Sequence, residues 1–112
     1  MKPGEFSKKV WELALKIPPG RVTTYGYLAV SAGGHPMMAQ MITHILGKST
    51  DADKVPWHRI VYANGKVWLS PKYDKIRRAL YKKEGVKLDK NNRIIDFDKL
   101  FYDFKWISST YP

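Results

Sequence analysis

Apolar residues recur at helical spacing over the first seventeen positions of the chain. The residues that share one face of this segment are Phe6, Val10, Leu13, Ala14 and Ile17. Lysines and glutamates occupy the opposite face, as in a helix that is half exposed to solvent. Pro18-Pro19-Gly20 then ends the pattern, because proline lacks the N–H that a helix interior needs. The segment predicts an amphipathic first helix.

Two shorter helices follow, joined by the Gly33-Gly34 pair. Thr23 or Thr24 is placed to cap the first of them with a side-chain oxygen. Pro36 suits the first turn of the second helix, and Gly47 closes it. Two short helices joined by a glycine-containing turn are typical of a helix-turn-helix, although other helical hairpins share this pattern.

The second of these helices has two distinct faces. Its core-facing residues are predicted to be Met38, Met41, Ile42 and Ile45. Its outer residues are Met37, Gln40, Thr43, His44 and Lys48. A helix that reads guanine in the major groove usually presents arginine or lysine to the base edges, and this face has only a terminal lysine. A minor-groove or wedge role therefore suits this helix better than base-edge readout.

The second half of the chain predicts a short hairpin and two further helices. Arg59 to Tyr62 and Lys66 to Leu69 are strand-like runs around Ala63-Asn64-Gly65, which is a hairpin signal. Ser70-Pro71 begin a helix that Gly85 ends. The inward side chains of that helix are predicted to be Tyr73, Ile76 and Leu80. Asn91-Asn92 indicate a turn, and the final short helix is predicted to pack Phe97, Leu100, Phe101 and Phe104.

The length of 112 residues fits a single domain that spans residues 1–112. The predicted fold class is mainly α with a short β-hairpin. No apolar run is long enough to cross a bilayer, the first residues lack the apolar stretch of a signal peptide, and the last few residues are expected to lack fixed structure. A cytoplasmic protein is therefore expected. Because the sequence has no cysteine, disulfides, thiolate metal sites and thiol nucleophiles are excluded.

The charge of the chain points to a polyanionic partner. Twenty Lys and Arg stand against ten Asp and Glu, which gives a formal net charge of +10. Eight basic and three acidic residues lie between Lys72 and Lys90, so part of the excess is local. A solvated basic surface is the alternative, but so large an excess on so small a chain favours nucleic acid. Membrane binding is disfavoured, because the basic segment lacks a strongly apolar opposite face.

The residues by themselves give little support to an enzyme. The spacings of His35, His44 and His58 match no common zinc pattern, so neither a metal nor a cofactor is expected. Gly33-Gly34 lacks the spacing and the preceding strand of a phosphate-binding loop. A serine-histidine-acid triad remains open from sequence, although no nucleophile elbow is present.

Five segments occur in the order and approximate spacing of a known DNA-binding domain. They are "PGRVTTYGYLA", "GHPMMAQMITHIL", "VPWHRIV", "NGKVW" and "KKEGV". From about Phe6 to Leu88 the chain resembles the C-terminal, helix-turn-helix (winged-helix-like) domain of O6-alkylguanine-DNA alkyltransferases, with residues 89–112 as a family-variable extension. Those enzymes carry Pro-Cys-His-Arg at the active site, where this chain has Trp57 in place of the cysteine. It thus resembles most closely the alkyltransferase-like proteins.

The resemblance implies non-enzymatic recognition of DNA damage. Such a protein binds O6-alkylguanine in duplex DNA through the minor groove, rotates the damaged nucleotide into a pocket and flags it for nucleotide-excision repair. The expected partners are double-stranded DNA with alkylated guanine and nucleotide-excision repair proteins. The protein is expected to act as a monomer without a catalytic residue, in the cytoplasm or, in a bacterium, on the nucleoid.

The same resemblance assigns residues to three roles. The lesion pocket is expected to be lined by Tyr25, Leu46, Val55, Pro56, Trp57, Ile60 and Ser70. The network that activates the cysteine in the enzymes corresponds to His58, Arg59 and Glu84, and we expect a buried pairing of Glu84 with one of the other two. The residues expected to contact DNA are Thr24, Tyr25, Met37, Ala39, Gln40, Thr43 and Lys48.

The chain departs from the family at three places, and two of them, Gln40 and Lys48, favour a second interpretation. Gln40 stands where the family has an arginine that intercalates in place of the extruded nucleotide, and Lys48 stands where it has an asparagine. The segment "WLSPKY" replaces a stretch that is often basic or glycine-rich at the pocket. Glutamine lacks the cationic stacking of arginine. The alternative is therefore a helix-turn-helix DNA-binding or regulatory module without lesion specificity.

Overall fold

The computed structural model describes residues 3–48 and 52–104. Its elements are α1 (Pro3–Leu15), β1 (Thr23–Thr24), α2 (Tyr25–Ser31), α3 (Ala39–Gly47), β2 (Ile60–Val61), α4 (Asp74–Lys83) and α5 (Phe97–Leu100). Short 3₁₀ turns cover Pro36–Met38, Ala52–Lys54 and Trp57–Arg59. The terminal residues that were expected to lack fixed structure lie outside the described residues. The predicted mainly helical fold class is confirmed.

The apolar face of α1 forms the base of the main core, as its periodicity predicts. The five residues of that face, Phe6, Val10, Leu13, Ala14 and Ile17, are at most 6% exposed. They pack against buried residues of α2 and α3, among them Leu28, Ala29, Ile42 and Leu46. The three helices thus form one layer around a shared core. Within the described residues no helix is both long and apolar enough to cross a membrane.

The helix-turn-helix is formed by α2 and α3. The hydroxyl oxygen of Thr24 accepts a hydrogen bond of 3.0 Å from the Tyr27 N–H, which confirms Thr24 as the cap of α2. Gly33 has φ +98°, a backbone conformation that favours glycine, and it ends α2 as predicted. Pro36 then begins a 3₁₀ turn that leads into α3.

The predicted inner face of α3 is partly wrong. Ile42 is fully buried, and Met38 and Ile45 pack against the core as expected. Met41 is instead 48% exposed, and Leu46 takes the second fully buried position. The α-helix begins only after the tighter 3₁₀ turn, and residues four apart on it, Ile42 and Leu46, share the face that meets α1.

The small sheet is parallel, and the predicted hairpin is wrong. β1 pairs with β2 in parallel, with Thr23 opposite Ile60. The chain does turn at the predicted place, where the Tyr62 N–H donates to the Lys66 carbonyl at 3.0 Å. Beyond that turn, however, Lys66 forms an antiparallel bridge with Arg93. The second run therefore bonds to a later segment, and the first bonds to β1. These pairings bury Ile60, Val61 and Val67, whereas Tyr62 and Trp68 stay 44% and 40% exposed.

α4 begins later than predicted, and its inner face differs from the expected one. Ser70 caps a turn rather than the helix, with its hydroxyl oxygen 3.3 Å from the Tyr73 nitrogen. Tyr73 and Ile76 are therefore 39% and 59% exposed, whereas Tyr81 is 2% exposed. The predicted stop at Gly85 is confirmed: it has φ +75°, and the following Val86 N–H donates to the Tyr81 carbonyl at 2.9 Å.

The segment after Leu88 completes a second, smaller core. Its buried residues are Val22, Val61, Val67, Tyr81, Val86 and Ile94. Asn92 has φ +61°, as the predicted turn requires, and α5 is the predicted short helix. The Val22 N–H donates to the Leu100 carbonyl at 2.9 Å, and the Tyr102 N–H donates to the Val22 carbonyl at 2.7 Å. This segment therefore holds β1, and with it the start of α2, in place.

Candidate functional site

Trp57 lies in a tight turn between the two cores. The Trp57 N–H donates to the Val55 carbonyl at 2.8 Å, and the Arg59 N–H donates to the Pro56 carbonyl at 2.9 Å. This turn leads directly into β2, so the parallel sheet fixes its position. The ring is half-buried and packs against the main core.

The indole N–H of Trp57 is already bonded within the protein. Its Nε1 donates to the Ala52 carbonyl oxygen at 3.0 Å. An indole has no nucleophilic lone pair, and this bond leaves the exposed part of the ring as an apolar surface. Trp57 can therefore stack against or enclose a flat ligand, but it supplies no hydrogen bond to that ligand and no covalent chemistry.

Behind Trp57, Glu84 accepts bonds from three partners. Its Oε2 lies 2.6 Å from His58 Nε2 and 2.7 Å from Arg59 Nη2, so both expected pairings are present. Its Oε1 accepts from the Gly20 N–H at 2.9 Å. Arg59 also donates from Nη1 to the Ile17 carbonyl at 2.9 Å. The network thus ties α4 to the Trp57 turn and to the end of α1.

The electrostatics of this network fix the protonation of both titratable groups. Burial by itself would raise the pKa of Glu84, but the hydrogen bonds from Arg59, Gly20 and His58 outweigh it and hold that pKa at about 2. Burial lowers the pKa of His58 below its ordinary value, although Glu84 opposes this shift. Since the carboxylate can only accept, a neutral His58 must carry its proton on Nε2 and leave Nδ1 unprotonated.

Two partners in this network were not predicted from the sequence. The Tyr81 hydroxyl donates to the His58 carbonyl at 2.6 Å, and its ring lies edge-on to the imidazole at 5.8 Å between centroids. Burial raises the pKa of Tyr81, so that hydroxyl stays protonated as a donor. The Gly20 N–H is the other missed partner. The spacing of Tyr81, one helical turn before Glu84, was the only signal for it.

Stability is expected to fall as the pH is lowered below about 6.5. The folded-state pKa of Glu84 is about 2 against an ordinary 4.5, so its contribution is complete above pH 4.5 and is lost as the pH falls toward 2. The lowered pKa of His58 adds a loss that begins near 6.5, where the unfolded chain takes up a proton first. At about 1.4 kcal/mol per pKa unit, Glu84 accounts for about 3 kcal/mol of the decrease.

Urea denaturation at a series of pH values measures this profile. A Glu84→Gln variant should lose the part of the decrease that lies below pH 4.5, because its amide does not titrate there. If the variant and the unmodified protein lose stability in parallel below that pH, the low pKa of Glu84 is wrong.

Tyr25 is the first residue of α2 and lies beside α3. Burial raises the pKa of its hydroxyl, and the positive charge of Arg77 and a hydrogen bond with the Thr43 side chain oppose that shift. Its ring is 5.9 Å from the ring of Tyr62, measured between centroids. The structure thus brings together Tyr25 and Thr43, which were both predicted to contact DNA, and adds Tyr62 and Arg77, which were not.

Three residues predicted to line the lesion pocket are buried in the main core. Leu46, Val55 and Ile60 are at most 5% exposed and belong to the main core. The resemblance assigns them to the pocket, but packing in the main core leaves them almost no free surface. Pro56 and Ser70 are half-buried, so both retain a surface that a ligand can reach.

The residues predicted to contact DNA are mostly exposed. Gln40, Thr43 and Lys48 lie on the outer face of α3, and Met37, just before it, is 88% exposed. Ala39 is half-buried at the first position of the helix. Thr24 is the exception, since it is only 9% exposed and its hydroxyl caps α2. Any contact from Thr24 to DNA therefore involves little surface.

No metal centre accompanies this site among the described residues. Within residues 3–48 and 52–104, no three His, Asp or Glu side chains are grouped so that they could hold an ion. Hydrogen bonds hold His58 to Glu84 and Trp57 to Ala52, and the sequence contains no cysteine.

A family model for the DNA-binding domain of 6-O-methylguanine DNA methyltransferase matches residues 5–86. The chain belongs to this family. The match ends just after Gly85, so it includes the Trp57 turn, Glu84 and the whole helix-turn-helix. In this member of the family, tryptophan occupies the position that the Pro-Cys-His-Arg motif gives to cysteine.

The similar proteins include one named for base flipping in DNA and one named for its likeness to alkyltransferases. A DNA base-flipping protein of Escherichia coli is 35% identical over 94 residues, which cover 83% of this chain and 71% of that protein. Alkyltransferase-like protein 1 of Schizosaccharomyces pombe is 33% identical over 67 residues, which cover 60% of this chain and 61% of that protein. The predicted resemblance to alkyltransferase-like proteins is confirmed.

A solved structure shares the fold over most of both chains. S. pombe Atl1, in complex with damaged DNA that contains O6-carboxymethylguanine, aligns with a TM-score of 0.70 and 22% identity. The alignment covers 91% of this chain and 98% of that one. At this level of identity the likeness establishes the fold alone. It extends past the residues of the family model and so includes part of the segment after Leu88.

Proposed function

We propose that this protein recognises O6-alkylguanine in duplex DNA without removing the alkyl group. It binds through the minor groove with the helix-turn-helix and rotates the damaged nucleotide out of the helix, as enzymes and readers that act on single bases must. The rotated base is held against Trp57 and Tyr25. The complex with DNA then marks the lesion, and nucleotide-excision repair proteins remove it.

The observation that carries this proposal is the position of Trp57 in the motif and its hydrogen bond to Ala52. The tryptophan takes the place of a nucleophile, while His58, Arg59 and Glu84 keep their mutual hydrogen bonds behind it. Its N–H is satisfied by Ala52, so the remaining ring surface is apolar and suited to a flat base with an alkyl substituent. A site that retains its frame but lacks its reactive atom can bind the lesion without reacting with it.

The outer face of α3 supports the DNA-binding part of the proposal. Met37 is 88% exposed just before the helix, which suits an apolar wedge between base pairs. Gln40 is exposed on the first turn, where it can fill the space that the extruded nucleotide leaves and bond to the unpaired base. The formal net charge of +10 supplies attraction to phosphate that weakens as salt is added.

The descriptions of two similar proteins support base rotation and lesion binding. The E. coli relative is a DNA base-flipping protein, and the S. pombe structure holds DNA with O6-carboxymethylguanine. We extend these properties to this chain as a proposal, together with action as a monomer on DNA in the cytoplasm or nucleoid.

A helix-turn-helix module without lesion specificity is the second candidate. Two exposed residues favour it, Gln40 in place of the intercalating arginine and Lys48 at the end of α3. The retained contacts of Tyr25 and of the His58–Glu84 pair argue against it, because a general DNA-binding module has no need of a pocket wall.

Base rotation can be followed with 2-aminopurine placed next to O6-methylguanine in a short duplex. When the damaged nucleotide leaves the stack, its neighbour loses a stacking partner and the fluorescence rises. We expect a larger rise with this duplex than with one that has guanine at the same position. Binding to both duplexes without a change in fluorescence would instead support the second candidate.

A further inference from the structure

Two large aromatic side chains lie side by side on the surface near the start of α4. Trp68 and Tyr73 are 40% and 39% exposed, and their ring centroids are 5.8 Å apart. The Arg77 guanidinium lies 4.9 Å from the centroid of Trp68, and the Lys72 ammonium lies 5.3 Å from that of Tyr73. We call this group, Trp68, Lys72, Tyr73 and Arg77, the aromatic shelf.

The shelf does not serve the core. Neither aromatic residue belongs to the buried clusters, and a contiguous exposed aromatic surface usually marks a binding site. Cations held within about 6 Å of aromatic faces keep those rings oriented and add positive charge beside them. Such an arrangement suits a ligand that combines flat apolar rings with negative charge.

The charge of Arg77 is free for such a ligand. Among the described residues, no carboxylate pairs with Arg77, and its hydrogen bond to the Trp68 carbonyl is long at 3.4 Å. The adjacent Arg78, by contrast, is paired with Asp74 at 3.0 Å. Binding a phosphate is more favourable for a half-buried guanidinium without an anionic partner than for one that is already paired with a carboxylate.

The shelf adjoins the proposed lesion site through Ser70, a residue predicted to line the pocket, whose hydroxyl oxygen lies 3.3 Å from the Tyr73 nitrogen. The positive charge of Arg77 acts on Tyr25, where it opposes the rise in the pKa of that hydroxyl, and it also lowers the pKa of His58. Tyr62 lies against Tyr25 and is 44% exposed. Nucleotides that leave the duplex at the lesion site would therefore lie close to the shelf.

We propose that the aromatic shelf binds unpaired nucleotides of any sequence, with bases stacked on Trp68 and Tyr73 and phosphates held by Arg77 and Lys72. Surfaces that bind single strands combine these two features, aromatic faces for the bases and basic side chains for the backbone. The shelf thereby holds strand that is unpaired next to the lesion. This activity goes beyond lesion recognition, because it does not depend on an alkyl group.

The test is the affinity of the full-length protein for a fluorescent oligothymidylate of about twelve nucleotides, a length within the range of sites that bind single strands. Replacing both Trp68 and Tyr73 by alanine should weaken binding by about tenfold or more, since each stacked base contributes appreciably. Trp68→Phe should retain much of the affinity. Arg77→Ala should also lower the dependence of affinity on salt by about one phosphate contact.

Ile76→Ala is the matched control, because Ile76 lies on the same helix and is 59% exposed but is not part of the shelf. It should bind as the unmodified protein does. The proposal is overturned if the unmodified protein does not bind the oligonucleotide, if the double variant binds as tightly as the unmodified protein, or if Ile76→Ala weakens binding equally. Discrimination between duplexes with O6-methylguanine and guanine, measured on the same variants, reports separately on the lesion site.

Discussion

Replacing Glu84 by alanine is expected to lower the free energy of unfolding by about 3–5 kcal/mol, because breaking a buried ion pair leaves its partners uncompensated. Arg59 and His58 would each lose a partner, and the Gly20 N–H would lose its acceptor. The Glu84 and His58 side chains are only 8% and 9% exposed, so water replaces few of these bonds. Glu84 thus holds the end of α1, the Trp57 turn and α4 together.

Urea denaturation at neutral pH measures this loss, and the exposed Asp74–Arg78 pair gives the control. Asp74 and Arg78 are 44% and 47% exposed, so Asp74→Asn should cost less than about 1 kcal/mol. Glu84→Gln should fall between the two, because it keeps the size and one acceptor but loses the charge. Equal losses for Glu84→Ala and Asp74→Asn would show that the network does not stabilise the fold.

Replacing Trp57 by alanine is expected to weaken binding to a duplex with O6-methylguanine by about ten- to hundredfold, the range for loss of one aromatic stacking partner of a base. The duplex with guanine should be affected much less, because contacts from α3 and from phosphate remain. The expected loss is specific to the lesion because the N–H of Trp57 is bonded to Ala52, which leaves stacking as its contribution.

The variant must remain folded for this comparison, since Trp57 also packs against the main core. Trp57→Phe keeps an aromatic face and should retain much of the preference for the lesion, although it loses the bond to Ala52. A circular-dichroism melt identifies conditions in which all three proteins are folded. If Trp57→Ala weakened binding to both duplexes by the same factor, its role would be structural.

Much of the helical structure could be predicted because its signals are local. The face of α1, the Thr24 cap and the stop at Gly85 depend on residues within about one helical turn of each other. The pairing of β1 with β2 joins segments that are far apart in the chain, and no turn motif in the sequence predicts it. The asparagine-glycine turn after Tyr62 does form, but burial in the second core determines which segments pair around it.

The candidate site could be predicted in its motif but not in its hydrogen bonds. The resemblance to the alkyltransferases implied a network of His58, Arg59 and Glu84, and the structure contains these hydrogen bonds. The Gly20 N–H and the bond from Trp57 to Ala52 depend on where turns bring the backbone, which residue types do not encode directly. The resemblance placed Leu46 in the pocket, whereas packing in the main core buries it.

The proposed function depends most directly on one ratio, that of the dissociation constants for two duplexes that differ only in O6-methylguanine or guanine at one position. Competition titrations of the unmodified protein at a fixed, moderate salt concentration measure it, because the phosphate contribution is then the same for both. A site that encloses the alkylated base predicts tighter binding to the duplex with O6-methylguanine. Equal dissociation constants would contradict lesion recognition and leave a helix-turn-helix that binds DNA without regard to damage.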